Sequence, residues 1–406
     1  MDMPHPQATE GTVVPTRSGW RDRLPSEATT TDGKPRPVRA LVLSGGVALG
    51  AFEAGAYAAF EEVGEPPPDW LVGASIGAVN TAIIAGNPPE RRVERLRRFW
   101  DSVAADPMPA TSLLLGPPPA AGAWRRAYNQ LGALQTLLFG RPGLFRPRLM
   151  PGPKAGEAPA LYDLEPLCGR LREFVDFGRL NGGEIRLSVV ATDVASGERV
   201  VFDTAHGARI GPEHVVASGA LLPFCAPVEV EGRLLGDGGL ASNAPLDLVL
   251  DEPAAGGLVC FVVELFARGG SLPRSLAASV SRAVDLAFGN QTHRLLEGRA
   301  RERRLRALVG RLAARLPREL RDDLEVASLL AEAGEGGVQA TTVVCLGYRA
   351  GVDEAGPGKV FDFSRATLAD RWEAGACGMR EALRRLEAPA GAAALAPDLL
   401  LHKVEA

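Results

Sequence analysis

Apolar residues form continuous runs in one part of the chain and recur at helical spacing in the next. Residues 38–43 are a continuous apolar run that stops near paired glycines, as is typical of a buried parallel strand. Small and apolar residues over 49–64 predict a helix, 70–72 a second strand and 76–85 a second helix. This alternation predicts an α/β fold with a mainly parallel central sheet and helices on both faces.

The same patterns return later in the chain. Residues 228–235 predict a hairpin around Glu231 and Gly232. Helical spacing predicts helices over 90–103, over most of 275–333 and over 365–386. Further apolar runs predict strands over 185–191, 199–202, 258–265 and 341–348.

Composition divides the chain into one folded domain and two tails. Residues 1–37 are rich in Pro, Thr, Gly and charge, which predicts a disordered N-terminal tail. We expect a single domain over 38–390, with a helical extension over 266–390 that returns one strand to the sheet. Residues 391–406 are expected to be a C-terminal tail. Residues 106–160 form an insertion whose Leu, Trp and Phe clusters fit a lid or acyl-chain tunnel as well as ordinary packing over the core.

Charge and cysteine content narrow the function classes. The formal net charge of −4 lacks the basic footprint of a nucleic-acid-binding protein. The five cysteines are scattered without a CxxC pair, so we expect no disulfide framework, no metal site and no cofactor. Neither a signal peptide nor a membrane-spanning apolar run is apparent. The sequence therefore predicts a cytoplasmic protein; it leaves open a peripheral contact with the inner membrane face, and it does not indicate the oligomeric state.

A candidate nucleophile follows the second predicted strand. Gly73, Ser75 and Gly77 fit the pattern GxSxG, in which a serine stands on a sharp strand-to-helix turn. That turn crowds the neighbouring positions, which favours glycine on both sides. The helix N-terminus after the serine stabilises the negative charge that develops in acyl transfer. The strand and helix on either side supply the context that this short pattern needs.

A glycine-rich turn lies between the first predicted strand and helix, with Gly45, Gly46, Val47 and Gly50. Such a turn exposes backbone N–H groups that can bind a phosphate or an oxyanion. The chain lacks the GK[ST] ending of a phosphate loop, and Val47 occupies the middle glycine position of a dinucleotide fingerprint. With a candidate nucleophile downstream, we favour an oxyanion hole formed by residues 45–47.

The serine needs a proton acceptor. Asp237, followed by Gly238 and Gly239, comes directly after a predicted strand pair, although an ordinary Asp-Gly turn has the same sequence. His293 is the alternative, because it would complete the chain order Ser, Asp, His of an α/β-hydrolase triad. That fold places several strands before the nucleophile, whereas one strand precedes Ser75, and His293 lies in a predicted helix. We therefore favour Asp237 as the base.

The glycine loop, the GxSxG serine and the DGG aspartate occur in the order found in patatin-like phospholipases. Over residues 38–265 the chain resembles this family, and the C-terminal part resembles a bacterial branch of it. The resemblance implies a patatin-type three-layer fold and a Ser-Asp dyad without histidine. It also implies metal-independent hydrolysis of lipid acyl esters through an acyl-serine intermediate.

Two positions depart from the family pattern. Val47 stands where the family usually has a third glycine, and valine resists the positive φ that glycine adopts. Leu49 stands where many members carry Arg or Lys. These departures keep two alternatives open: an acyltransferase with the same dyad, and a catalytically silent relative that binds lipid or a partner.

Overall fold

The predicted strands all belong to one ten-stranded sheet in the computed structural model. The structure describes residues 36–107, 118, 120–148, 160–252, 256–270, 272–334, 340–351, 354, 356–387 and 392–406. In chain order the strands are β1 (Val38–Leu43), β2 (Trp70–Ala74), β3 (Arg146–Pro147), β4 (Tyr162–Asp163), β5 (Arg186–Asp193), β6 (Arg199–Asp203), β7 (Val228–Val230), β8 (Arg233–Asp237), β9 (Leu258–Glu264), β10 (Thr341–Gly347), β11 (Ala393–Ala396) and β12 (Leu399–Glu405). Strands β3 and β4 form a separate two-stranded sheet, and the others belong to the large sheet.

The sheet has the order β11-β12-β10-β9-β1-β2-β5-β8-β7, and β6 also pairs with β5. The strands from β12 through β5 are parallel, and antiparallel strands flank them on both sides. The described helices are α1 (Gly50–Glu62), α2 (Ile76–Ala85), α3 (Pro89–Val103), α4 (Ala123–Phe139), α5 (Glu165–Phe174), α6 (Phe177–Leu180), α7 (Pro212–Ser218), α8 (Gly239–Ser242), α9 (Leu246–Leu250), α10 (Leu276–Gly289), α11 (Gln291–Ala313), α12 (Arg318–Arg321), α13 (Leu324–Gly334) and α14 (Arg365–Glu387).

Helices cover both faces of the sheet because successive side chains of a strand point to opposite sides. On β1, Leu41 and Leu43 belong to the core shared with α1, α2, α3 and α14. Ala40 and Val42 belong to a second core, shared with α9 and α11. The three-layer α/β arrangement predicted from the sequence is confirmed.

The C-terminal residues are part of the sheet, so the prediction of a tail over 391–406 is wrong. Strand β12 pairs in parallel with β10 over its whole length, and β11 pairs with β12 at the sheet edge. Leu399, Leu401 and Val404 are buried by this pairing. The partner strand β10 lies more than 50 residues earlier in the chain, so the sequence around 399–405 does not reveal it.

Other predicted boundaries fall partly outside the described residues. Residues 1–35 of the predicted N-terminal tail lie there, as do 108–117, 119 and 149–159 of the predicted insertion. The described part of the insertion contains α4. No helix of the described residues combines the length and the apolar character needed to cross a membrane.

Candidate active site

Ser75 occupies the turn between β2 and α2 with φ +55° and ψ −123°. A non-glycine residue in this region is strained and needs support from its surroundings. The backbone N–H of Ser75 donates to Ser218 Oγ at 2.9 Å, and the Ser218 hydroxyl donates to the Val190 carbonyl at 2.5 Å. A buried serine at the end of α7 therefore ties the strained turn to the neighbouring strand β5.

The glycines on either side of Ser75 lie against backbone. A β-carbon on Gly77 would lie 2.2 Å from the carbonyl oxygen of Leu43, and one on Gly73 would lie 2.6 Å from the amide nitrogen of Ala78. Real β-carbons do not approach backbone this closely, and a backbone atom cannot move aside as a flexible side chain can. Both glycines are therefore required by the packing of this turn against β1 and α2.

Substituting Gly77 tests this packing. We expect Gly77→Ala to lower the free energy of unfolding by about 3 kcal/mol, because the new methyl group overpacks the end of β1. Gly169→Ala is the matched control, since Gly169 is an exposed residue of α5 with open space at its β-carbon. That control should be neutral or stabilising by up to about 1 kcal/mol. Equal unfolding midpoints for the two variants would contradict this account of the turn.

The topology of β5 brings Asp237 to Ser75. Ala74 lies opposite Val190 on one side of β5, and Asp237 lies opposite Ala191 on the other side. Ser75, the next residue after Ala74, therefore reaches the level of Asp237 across the end of β5. The Ser75 hydroxyl donates to Asp237 Oδ2 at 2.7 Å, which is a short hydrogen bond to a carboxylate.

The second carboxylate oxygen of Asp237 is also fixed. Oδ1 accepts a hydrogen bond from the Gly239 N–H at 2.7 Å. Gly238 lies directly on β5, where a β-carbon would approach the Val190 carbonyl oxygen to 2.1 Å. In the DGG sequence, Gly238 thus permits close contact with the backbone of β5, and Gly239 supplies an N–H donor to the Asp237 carboxylate.

Burial changes the acidity of this group. Asp237 is only 4% exposed to solvent. Burial raises the pKa of Asp237 to about 6, against the opposing effect of the hydrogen bonds from Ser75 and Gly239. The carboxylate is therefore ionised at neutral pH but basic enough to accept a proton.

His293 does not take part in this arrangement. It lies on α11, and its Nε2 is 2.9 Å from a carboxylate oxygen of Glu297, one helical turn further on. The Ser75 hydroxyl donates directly to Asp237. Of the two predicted base candidates, the structure places Asp237 against the serine.

The glycine loop lies beside the serine, but one of its predicted donors is occupied. A β-carbon on Gly45 would lie 3.0 Å from Ser75 Cβ. The Gly45 N–H donates to the Asn243 carbonyl at 3.1 Å, so it is not available to an oxyanion. The N–H groups of Gly46 and Val47 have no hydrogen-bond acceptor among the residues that the structure describes. The candidate donors are thereby reduced to these two.

Val47 adopts the conformation that its side chain resists. It has φ +52°, in a short 3-10 turn over Val47–Leu49. Gly46 and Gly50, at the two ends of this turn, lie against Leu265 and Ile76, where β-carbons would come within 2.7 Å and 2.5 Å of side-chain atoms. The loop therefore keeps a left-handed residue without the glycine that usually permits one.

Several residues around the site had no role predicted from the sequence. Ser218 lies in a stretch that resembles the family, but its contact with the Ser75 amide has no local signal. Asn80 donates to the Gly50 carbonyl at 3.0 Å from within α2. Further support for the glycine loop comes from Asn243 and Arg371, which are remote from it in the sequence. Most of these contacts involve a backbone N–H or carbonyl group, which every residue type has. The sequence therefore contains no side-chain pattern that would reveal them.

No group of three or more His, Cys, Asp or Glu side chains in the described part of the chain has an arrangement that could hold a metal ion.

Comparison with known proteins identifies the family. The family model described as patatin-like phospholipase matches residues 41–250, slightly more than half of the chain, and a second model, described as patatin phospholipase, matches residues 286–391. Residues 41–250 include the glycine loop, Ser75 and Asp237. No significant match was found among curated proteins.

Solved structures also match, at low sequence identity. VipD from Legionella pneumophila is 15% identical, with 88% of this chain and 69% of that chain covered and a TM-score of 0.37. The type III effector ExoU is 15% identical, with 87% and 54% covered and a TM-score of 0.34. The complex of SpcU with ExoU from Pseudomonas aeruginosa gives 17% identity, 64% and 52% coverage and a TM-score of 0.28. This chain thus spans about half of the matched chains in these two ExoU structures. Because of the extent of the family match, the chain belongs to the patatin-like phospholipase family.

Proposed function

We propose that the protein is a serine-dependent lipid acyl hydrolase of the phospholipase A or esterase type. The observation that carries the proposal is the 2.7 Å hydrogen bond from Ser75 to the buried carboxylate of Asp237. It joins a serine on a strained strand-to-helix turn to a carboxylate whose pKa is raised to about 6. In a chain of the patatin-like phospholipase family, this pair supports acyl transfer without a histidine.

In the first chemical step, Ser75 Oγ attacks the ester carbonyl carbon while its proton passes to Asp237 Oδ2. The carbonyl π-electrons move to oxygen and form a tetrahedral oxyanion. When this intermediate collapses, the bond to the alcohol oxygen breaks, and the leaving oxygen takes the proton from Asp237. The products of this step are a free alcohol, such as a lysolipid, and acyl-Ser75.

The oxyanion needs donors that are already in place, because reorganising them during the reaction would cost free energy. The N–H groups of Gly46 and Val47, which have no acceptor among the described residues, are the proposed donors. Gly45, directly before them in the loop, lies against Ser75. The N-terminus of α2, which begins at Ile76, adds a favourable dipole.

In the second chemical step, water replaces the serine. Asp237 accepts a proton from the water as its oxygen attacks the acyl carbon. The new intermediate collapses by breaking the bond to Ser75 Oγ, which recovers the proton from Asp237. A fatty acid leaves, and the dyad returns to its initial state.

An aromatic cluster near Asp237 is suited to the acyl chain. The N–H of Asp237 donates to the carbonyl of Ala220, which anchors the loop that carries Phe224. The half-buried ring of Phe224 lies 5.5 Å from that of Phe361 and 6.5 Å from that of Tyr162. We place part of the acyl chain against this cluster, because apolar and aromatic walls are what an alkyl chain requires.

Helix α4 supports the proposal of a lid or lipid contact in the insertion. Four of its exposed apolar residues lie on one face and are between 44% and 60% exposed; they are Trp124, Leu131, Leu134 and Leu138. Phe139, the last residue of the helix, is 71% exposed. The opposite face packs on the 3-10 turn over Gly356–Phe361, which includes Phe361 of the aromatic cluster. Helix α4 is therefore placed to link the aromatic cluster to the surface.

Turnover of acyl esters tests the proposed function against its alternatives. We expect the purified protein to release free fatty acid from phospholipid vesicles and from p-nitrophenyl esters. With glycerol added as an acceptor, free fatty acid should remain the main product. A dominant acylated alcohol would instead establish an acyltransferase. Turnover no greater than that of Ser75→Ala would support a catalytically silent relative and overturn the proposal.

A further inference from the structure

A buried arginine from the C-terminal part of the chain reaches the glycine loop. Arg371 lies on α14, is only 1% exposed, and donates through a terminal guanidinium N–H to the carbonyl of Ala48 at 3.1 Å. Ala48 is the middle residue of the 3-10 turn that begins at the strained Val47. The contact therefore links α14 to the segment that carries the proposed oxyanion donors.

The guanidinium is fixed by other partners. It donates to the Lys359 carbonyl at 2.8 Å and to the Asp362 carbonyl at 3.1 Å. It also forms an ion pair with Glu354 at 2.8 Å. A planar guanidinium held at several points has one orientation, so the bond to Ala48 has little freedom. Because Glu354 offsets the positive charge, the contribution of Arg371 to the loop is mainly geometric.

Helix α14 itself has a fixed position relative to the loop. It crosses α1 through two glycines: a β-carbon on Gly55 would lie 1.9 Å from the Trp372 carbonyl oxygen, and one on Gly375 would lie 1.9 Å from the Phe52 carbonyl oxygen. Such close backbone contact leaves no room for sliding. Helix α1 begins at Gly50, directly after the 3-10 turn, so the turn is held at its C-terminal end by α1 and at Ala48 by Arg371.

Val47 explains why the loop needs this contact. A β-branched residue at positive φ is strained and persists only where its surroundings fix it. Relaxing Val47 to negative φ would reorient the following peptide units and break the hydrogen bond from Arg371 to Ala48. The arginine therefore opposes the relaxation that the valine side chain favours.

We propose that Arg371 is a positioning residue that holds the Val47–Leu49 turn in its left-handed start and so keeps the Gly46 and Val47 N–H groups aimed at the oxyanion. Arg371 lies in residues 286–391, the segment matched by the second family model. That segment thus completes a loop belonging to the first matched segment. The catalytic part of this inference rests on the proposed function, whereas the effect on the turn does not.

The conservative variant Arg371→Lys tests the role, because lysine keeps the charge but cannot reach Ala48, Glu354 and the two other carbonyls together. We expect kcat for ester hydrolysis to fall about 10- to 100-fold with little change in KM, since oxyanion donors act mainly in the transition state. Arg125→Lys is the matched control. Arg125, on α4, is also buried and donates hydrogen bonds to Thr367 and Asp370 of α14, the helix that carries Arg371. It makes no hydrogen bond to the glycine loop among the described residues. Its kcat should stay within about twofold of wild type.

A double-mutant cycle with Val47→Gly separates positioning from general destabilisation. Glycine adopts positive φ without strain, so the turn should no longer depend on Arg371. We expect Arg371→Lys to cost less than about threefold in kcat in the Val47→Gly background. Equal losses in both backgrounds, or a loss equal to that of Arg125→Lys, would overturn the positioning role.

Hydrogen exchange of the full-length protein tests the contact without relying on activity. Peptides covering residues 44–50 should exchange faster in Arg371→Lys than in wild type or Arg125→Lys. Unchanged exchange in these peptides would refute the proposed positioning role even if the enzyme is active. An inactive wild type with faster exchange in Arg371→Lys would instead refute the proposed hydrolase and leave the structural part of the inference supported.

Discussion

Replacing Ser75 with alanine is expected to lower kcat for ester hydrolysis by about 10⁴-fold or more, because no covalent acyl intermediate can form. The fold should be retained, since the Ser75 hydroxyl donates to a single partner, Asp237 Oδ2. Alanine keeps the backbone N–H that donates to Ser218, so the turn keeps its anchor. The measurement is the rate of fatty-acid release together with the unfolding midpoint.

The control for this variant is Ser102→Ala on α3, where the hydroxyl donates only to the Phe99 carbonyl of its own helix. It should leave kcat unchanged. Residual turnover in Ser75→Ala within tenfold of wild type would show that another group carries the reaction.

Replacing Asp237 with asparagine is expected to lower kcat by about 10³- to 10⁴-fold, because the amide cannot accept the serine proton. The rate of wild type should itself depend on this group. With the pKa of Asp237 raised to about 6, kcat/KM should increase with pH and reach half its maximum near pH 6. If kcat/KM instead reached half its maximum near pH 4, where an ordinary carboxylate titrates, the role assigned to burial would be contradicted.

The same variant should be more stable than wild type at high pH. A folded pKa above the unfolded value means that protonation stabilises the folded state, and this contribution is lost as pH rises from the unfolded pKa through about 6. At pH 8 the buried charge costs about 2–3 kcal/mol, which Asp237→Asn removes. Below about pH 4 the stability difference between the two proteins should vanish. Loss of activity combined with a gain in stability distinguishes a functional carboxylate from a structural one.

The unfolding experiment has a clear contrary outcome. If Asp237→Asn is destabilised at pH 8, the carboxylate contributes to the fold through its hydrogen bonds with Ser75 and Gly239 more than its burial costs. In that case its loss of activity could not be attributed to proton transfer alone.

Much of the fold follows from local patterns in the sequence. The runs at β1, β2 and β9 are buried on both faces, so their sequences are continuously apolar and easily recognised. Strand β12 alternates more and contains His402 and Lys403, because it lies next to the sheet edge. Its pairing with β10 depends on a distant segment, which explains why residues 391–406 were expected to be a tail.

The candidate site divides in the same way. Ser75 and Asp237 stand in turns whose glycines are required by close backbone contacts, and such turns leave short sequence signatures. The hydrogen bond from the Gly45 N–H to the Asn243 carbonyl leaves no sequence signature, because the two residues are almost 200 positions apart. The positive φ of Val47 is also invisible in the sequence, where valine argues against it.

The claim that Asp237 activates Ser75 is tested most directly by covalent labelling with a fluorophosphonate probe, followed by peptide mapping. We expect one label per chain, located on Ser75, with a rate that rises through about pH 6. Labelling should be lost in Asp237→Asn and retained in His293→Ala, because His293 pairs with Glu297 and not with the serine. Labelling that survives in Asp237→Asn and disappears in His293→Ala would contradict the dyad and establish histidine as the base.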